Sequence, residues 1–374
     1  MNLPGLYIHI PFCATKCPYC HFFSTTDITA VDGVVAAIVR EMELYAGDFD
    51  TFDTIYIGGG TPSLLTVQQI EAILSGVRKH FTVLPDGEIT IEVNPADGDL
   101  AWYRAVKNLG VNRLHLGVQS FSGQALAFLG RRHRVEDAFA ALDNTIRAGF
   151  DNFGLDLIYG IPGQDLQSWQ ESMACAVSFS PPHLSAYQLA IEEETPLFHS
   201  HRRGAFAIPD EDGSLSFFLS TSEYLERSGY HHYEVSNYAA SPDRKSRHNQ
   251  KYWDHTTYLG LGPASHSYRE GRRWWNHRNI EAYLNDLALG TAPIAGAETL
   301  TGEDLRLETL FMSLRTAAGI DLAAFRRHFG EDLTEKSKEL IESLITRGFI
   351  VVNDERIYPT RQGLVVADQL ALIL

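Results

Sequence analysis

The chain has 374 residues, 44% of them hydrophobic, enough to bury two or three structural units of ordinary size. Its 31 basic and 47 acidic side chains leave a formal charge of −16, which repels phosphate backbones and argues against nucleic acid as a partner. No apolar run reaches the roughly 18 residues of a membrane span, and residues 1–10 lack the basic and long apolar regions of a signal peptide, so the expected location is cytoplasmic.

Residues 6–10 read as a strand, and 28–45 as a helix with apolar residues at helical spacing. A strand over 53–57 runs into Gly58-Gly59-Gly60, followed by a helix over 67–80 and a strand over 88–93. A helix over 100–109 is closed by Gly110; then come a strand at 114–118, a helix at 135–148, a strand at 152–158, a helix at 166–179 and a strand at 183–189. Strands alternating with helices predict an α/β unit with a parallel sheet, whose chemistry sits at the carboxyl ends of the strands. The pattern weakens between Glu192 and Pro293, a stretch rich in His, Tyr and Trp that reads as a linking region with substrate contacts. From Thr301 onward, two or three helices end near Arg347-Gly348. Residues 349–352 and 356–358 then read as a hairpin around Asn353-Asp354. Helices followed by a hairpin suggest a winged-helix-like module, for which the acidic balance favours docking or structural work over DNA binding. The expected division is 1–230 for the barrel-type core, 231–295 for the linking region and 296–374 for the C-terminal module.

Three of the four cysteines, Cys13, Cys17 and Cys20, form C-x3-C-x2-C on the loop after the first strand. So few cysteines, so tightly clustered, point to a metal rather than to disulfides. Thiolates are the usual ligands of an iron–sulfur cubane; three of them leave one iron open to a small-molecule ligand. A structural zinc would need a fourth ligand, and His9, expected on the strand, would point elsewhere; His21 is the other candidate. Cys175 stands alone in a helix and reads as a buried thiol.

Several motifs fall at strand ends. Gly58-Gly59-Gly60-Thr61-Pro62 would let backbone approach a ligand, or would simply make a tight turn. Glu92 ends the third strand, where a carboxylate can accept from ribose hydroxyls or form a salt bridge. Asp156 lies in an apolar strand, where an unpaired charge is costly, so it needs either Arg131 or a ligand as partner. Further on, Arg247-His248-Asn249-Gln250-Lys251-Tyr252-Trp253 combines a histidine with flat aromatics. Histidine is a common axial ligand of heme iron and aromatics pack on porphyrin faces, though the same residues could as well cap a loop and fill a core. His231, His232, His255 and His266 lie nearby as possible second ligands.

The cysteine spacing, with Tyr19 just before the third cysteine, resembles the radical S-adenosylmethionine (SAM) superfamily. That resemblance implies a partial (β/α)6 barrel and a [4Fe–4S] cluster on Cys13, Cys17 and Cys20. It implies that SAM chelates the open iron, and that an electron from the cluster can cleave it to a 5′-deoxyadenosyl radical. Across nearly the whole chain the motifs look like the oxygen-independent coproporphyrinogen III oxidases and their relatives, the heme chaperones of the HemW type. Carried over by motif, Tyr7, Gly59 and Glu92 would contact the cluster-bound SAM. Tyr19, Gly60, Thr61, Gln119, Arg131, Asp156 and Ala190 correspond to a second SAM site in the oxidases. His115 departs from the pattern, since relatives usually carry serine there. Two features resemble the chaperone branch. The oxidases carry a long N-terminal extension and a further cysteine two residues after the third, where this chain has Phe22. The run from His248 to Trp253 also matches the H-N-x-x-Y-W motif of the heme-binding branch, which makes His248, Asn249, Tyr252 and Trp253 the heme candidates. The resemblance thus implies a heme chaperone that delivers heme to an acceptor such as a respiratory membrane protein, with an unidentified electron donor. The alternatives are an oxidase that decarboxylates coproporphyrinogen III, and a radical SAM enzyme acting on another substrate.

Overall fold

The structure, a computed structural model, describes residues 2–374. Six strands alternate with helices as the periodicity predicts: β1 (Gly5–Ile10), α1 (Val31–Tyr45), β2 (Thr51–Gly59), α2 (Val67–His80), β3 (Thr82–Val93), α3 (Leu100–Asn108), β4 (Arg113–Gln119), α4 (Gly123–Phe128), α5 (Val135–Arg147), β5 (Phe153–Tyr159), α6 (Leu166–Ser178) and β6 (His183–Gln188). β1 to β6 are parallel neighbours in chain order. The helices start where the sequence offers side-chain caps. The Thr66 hydroxyl accepts from the Gln69 amide at α2, while Asp99 caps α3 and Asp165 caps α6.

Alternation along the strands sorts the residues onto two faces. Leu6, Ile8 and Ile10, Ile55 and Ile57, Ile91 and Val93, Leu114 and Leu116, and Leu155 and Leu157 are all buried in one core with the helices. The intervening positions carry Tyr7, His9, Tyr56, Glu92, His115 and Asp156 on the opposite face. A face so polar cannot be a second apolar core; it builds the site instead.

The expected linking region proves to be part of this sheet. After α7 (Pro196–Arg202) and α8 (Glu211–Arg227), β7 (His231–Glu234) and β8 (Asn237–Ala239) add antiparallel strands beyond β6. After α9 (Arg247–Trp253), β9 (Tyr258–Leu261) pairs parallel with the other edge, β1. β10 (His266–Arg269), β11 (Arg272–Asn276) and β12 (Ile294–Thr299) extend it, with α10 (Ile280–Ala288) between the last two, to give twelve strands. The boundary expected at 295/296 therefore falls inside β12. These strands escaped the sequence pattern because they are three to six residues long and mix charged with aromatic side chains.

The C-terminal module has its own core, which includes Leu310, Leu314, Ile320, Phe325 and Ile357. It comprises α11 (Gly302–Leu314), β13 (Ile320–Asp321), α12 (Leu322–Phe329), α13 (Leu333–Lys336), α14 (Lys338–Thr346), β14 (Ile350–Val352), β15 (Arg356–Pro359), α15 (Arg361–Val365) and α16 (Ala367–Ile373). The hairpin lies where expected, and β13 joins it as a third antiparallel strand. Backbone bonds stitch the module to the larger sheet: the Val235 amide donates to the Arg315 carbonyl at 2.8 Å and the Ala317 amide to the Tyr233 carbonyl at 3.0 Å.

Candidate functional site

The cysteine loop leaves the end of β1 and is held at both sides. The Cys13 amide donates to Thr25 O at 2.9 Å, and the Leu197 amide to Pro18 O at 2.9 Å. Gly130 has φ +62°, and a Cβ there would meet Pro18 Cδ at 2.6 Å, so the α4–α5 turn approaches the loop only because it lacks a side chain. Cys13 is buried while Cys17 and Cys20 are half-buried. The Thr61 hydroxyl donates to Cys13 Sγ at 3.4 Å, and Arg131 Nη1 lies 3.7 Å from Cys17 Sγ. Burial pushes the Cys20 thiol above its ordinary value, and the neighbouring Cys17 and Cys13 push the same way. Burial opposes the charge on Arg131, but Tyr19 and Cys17 outweigh it and hold its pKa above the usual value. A fixed cation therefore faces the place where thiolates would gather. Among the described residues no three His, Cys, Asp or Glu side chains come together as they would around a single ion. The donor set, three thiols on one short loop beside a buried guanidinium, fits an anionic iron–sulfur cluster better than a four-ligand zinc.

Beside the loop lies a cavity of about 460 Å³ lined by the ends of β2 to β6. It gathers Tyr19, Gly59, Gly60, Thr61, Glu92, Gln119, Arg131, Asp156 and Ala190, nine of the ten residues that the motifs assign to SAM. Gly59 has φ +109°, and a Cβ on Gly60 would meet the Phe12 and Ile10 carbonyls at 2.6 and 2.8 Å, so the strand end sits against the cysteine loop. Among the described residues Glu92 forms no salt bridge: Tyr56 donates to Oε1 at 2.8 Å and the Gly59 amide to Oε2 at 3.1 Å. Burial raises its pKa, against the pull of those two donors.

Asp156 has a protein partner, but it is not Arg131. His115 Nε2 lies 2.6 Å from Oδ1, and Arg131 turns instead to the Gly117 carbonyl at 2.7 Å. His115 on β4 is thus the hydrogen-bond partner of Asp156 on β5. Tyr56, Asn94 and Tyr187 also line the cavity and went unassigned. Alternation was the available signal, because Tyr56 stands between Ile55 and Ile57 on the inward face. Tyr7, the tenth assigned residue, lines a separate cavity of about 290 Å³ with His21, Tyr252 and His266. Its hydroxyl lies 3.0 Å from His9 Nδ1.

The four heme candidates of α9 are dispersed. His248 is 1% exposed, with Nδ1 at 2.9 Å from Thr54 Oγ1 and Nε2 at 2.9 Å from the Tyr252 hydroxyl. Burial, then the charges of Lys251 and Arg113, lower its pKa to about 3. Both ring nitrogens are thus engaged in hydrogen bonds within the protein. Asn249 lines the 460 Å³ cavity, Tyr252 the 290 Å³ cavity, and Trp253 a third cleft of about 820 Å³ against the C-terminal module. Among the other histidines, His232 is satisfied by Ser222 and Val235, and His231 is exposed. His266 stacks on Trp275 at 5.8 Å, and His255 lines the large cleft. Cys175 is half-buried on α6.

Comparison with known proteins follows the same division. Residues 7–176 match the radical SAM superfamily and residues 300–366 the HemN C-terminal domain. The chain is 35% identical over 370 residues to the "Heme chaperone HemW" of Mycobacterium tuberculosis, covering 97% of this chain and 93% of the relative. It is 37% identical over 348 residues to the protein of the same name from Synechocystis, covering 89% and 82%. Among solved structures, coproporphyrinogen III oxidase (HemN) from Escherichia coli superposes with a TM-score of 0.85 at 24% identity, covering 99% of this chain and 89% of that one. Among the described residues, no helix is long and apolar enough to cross a membrane.

Proposed function

The chain belongs to the HemW heme-chaperone family within the radical SAM superfamily, and from that premise we propose that it binds heme and passes it to an acceptor protein. In this reading Cys13, Cys17 and Cys20 hold a [4Fe–4S] cluster and the cavity beside them holds SAM. When bound, such a cluster supplies an iron with an open coordination position and a low-potential electron. The observation that carries the SAM assignment is the convergence of nine motif residues on one cavity at the rim of the cysteine loop. Within it Arg131 offsets negative charge at Cys17, and Glu92, fixed by Tyr56 and Gly59, offers its remaining lone pairs to ligand hydroxyls. The acceptor would be a heme-requiring protein such as a respiratory one, the electron donor a separate reductant, and the location the cytoplasm, where clustered thiols stay reduced.

An oxidase reading has the fold in its favour, but a fold alone does not carry an activity. Phe22, 67% exposed, stands where the resemblance places the oxidases' additional cysteine. The test is an anaerobic titration of the cluster-reconstituted protein with hemin. The expected result is saturable, equimolar binding with a shifted Soret band; only non-saturable, nonspecific association would contradict the reading.

A further inference from the structure

The large cleft between the sheet and the C-terminal module is not used by the cluster or by SAM. Its volume of about 820 Å³ exceeds that of the other two cavities near α9, at about 460 and 290 Å³, and lies within the roughly 300–1,000 Å³ of ligand pockets. Aromatic walls come from both sides: Trp253 and Tyr268 from the sheet side, Phe325 and Phe329 from α12. Flat apolar walls suit a flat macrocycle.

One histidine stands in this cleft in the manner of a metal ligand. His255 follows α9 by two residues and has φ +55°, a left-handed conformation that is strained for a residue with a side chain. One ring nitrogen lies 3.5 Å from Glu308 Oε2, and Arg273 holds that carboxylate at 2.6 Å from each oxygen. Metal-bound histidines commonly give their second ring nitrogen to such a carboxylate, which leaves the first for the metal. The ring is 18% exposed, and His328 on α12 lines the module's side of the same cleft, so imidazoles are available from both walls. Lys245 also lines it, with its ammonium 5.3 Å from the Tyr233 ring centre and no ion pair to a carboxylate among the described residues. It is the free cation for a propionate. Arg356, by contrast, is already committed to Asp321 at 3.1 Å.

Resting on the heme-chaperone reading, we infer that heme docks in this interdomain cleft, with His255 as an iron ligand, Trp253 against the macrocycle and Lys245 facing a propionate. α9 then stands between the two ligands: Asn249 lines the SAM cavity, while Gln250 and Trp253 line the heme cleft. The H-N-x-x-Y-W motif contributes to heme binding by placing this helix, with His248 as its buried anchor.

The test is a hemin titration of the reconstituted wild type, His255→Ala and Ala324→Phe, the last of which fills the cleft from α12 without touching a ligand. Unchanged cluster absorption certifies that each variant is folded. His255→Ala should weaken binding at least tenfold and lose the low-spin Soret signature, and Ala324→Phe should lose most of the saturable binding. Wild-type affinity and Soret position in both variants would overturn the cleft while leaving heme binding itself intact. A wild type without saturable hemin binding would overturn the chaperone reading and this inference together.

Discussion

At the scale of single residues, the chemistry rests on three thiols and what surrounds them. Cys17 has Arg131 at 3.7 Å, whereas Cys175 stands half-buried on α6, outside the cysteine loop. Cys17→Ala should therefore abolish the broad visible absorption of the reconstituted protein, and Cys175→Ala should leave it unchanged. Retention of the cluster in Cys17→Ala would remove that residue from the ligand set. The thiols were legible because spacing alone constrains them to one loop. The partners of buried charges were not, because they are set by register. Glu92 pairs in the ladder with His115, and His115 with Gly154, so the imidazole stands between the strands of Glu92 and Asp156 and reaches the latter at 2.6 Å. His248 illustrates the same limit. A motif names residue types, but the turn of α9 decides that His248 points at Thr54 while Trp253 points at the cleft.

At the scale of elements, the βα units of the first half were legible because their strands are apolar and their helices capped, whereas β7 to β12 carry no such period. The added strands share the main hydrophobic core through Leu259, Leu261 and Trp274, and a buried polar cluster ties them to α1 as well. Glu41 on α1 is fully buried and accepts from the Gly262 amide at 2.8 Å, Asn276 Nδ2 at 2.6 Å and the Tyr283 hydroxyl at 2.6 Å. These donors come from the turn after β9, from β11 and from α10, so one carboxyl gathers three elements. Burial raises its pKa from 4.5 to about 7 despite those donors. The folded protein thus keeps this proton to about pH 7 while the unfolded chain releases it from about pH 4.5. Its contribution to stability must fall as pH rises through that window, by about 3 kcal/mol in all. Glu41→Gln removes the titration. The difference in unfolding free energy, wild type minus variant, should decline between pH 4.5 and 7 and be flat above. His9, His133, His232 and His248, with pKa values lowered by burial to about 4, 4, 4 and 3, act in the opposite sense, but equally in both proteins. Urea titrations across that range would refute the assignment if the difference stayed constant.

At the scale of the molecule, the sheet has one cavity at its carboxyl ends, proposed for SAM, and a cleft at its junction with the C-terminal module, proposed for heme, with α9 lining both. The acidic surface and the module's own hydrophobic core suit a docking and enclosing role for the module. The sequence hinted at the module through its hairpin, but the cleft it forms was invisible there. Its lining comes from residues between Tyr233 and Arg356, far apart in the chain and joined by backbone bonds such as Ala317 to Tyr233 and side-chain contacts such as His255 to Glu308. In the proposed function this radical SAM architecture serves heme carriage rather than porphyrinogen decarboxylation. The most direct measurement is anaerobic incubation of the cluster-reconstituted protein with coproporphyrinogen III, SAM and a strong reductant. No protoporphyrinogen should form beyond background while hemin still binds; protoporphyrinogen at catalytic yield would make the protein an oxidase, Phe22 notwithstanding, and rule out carriage as its function.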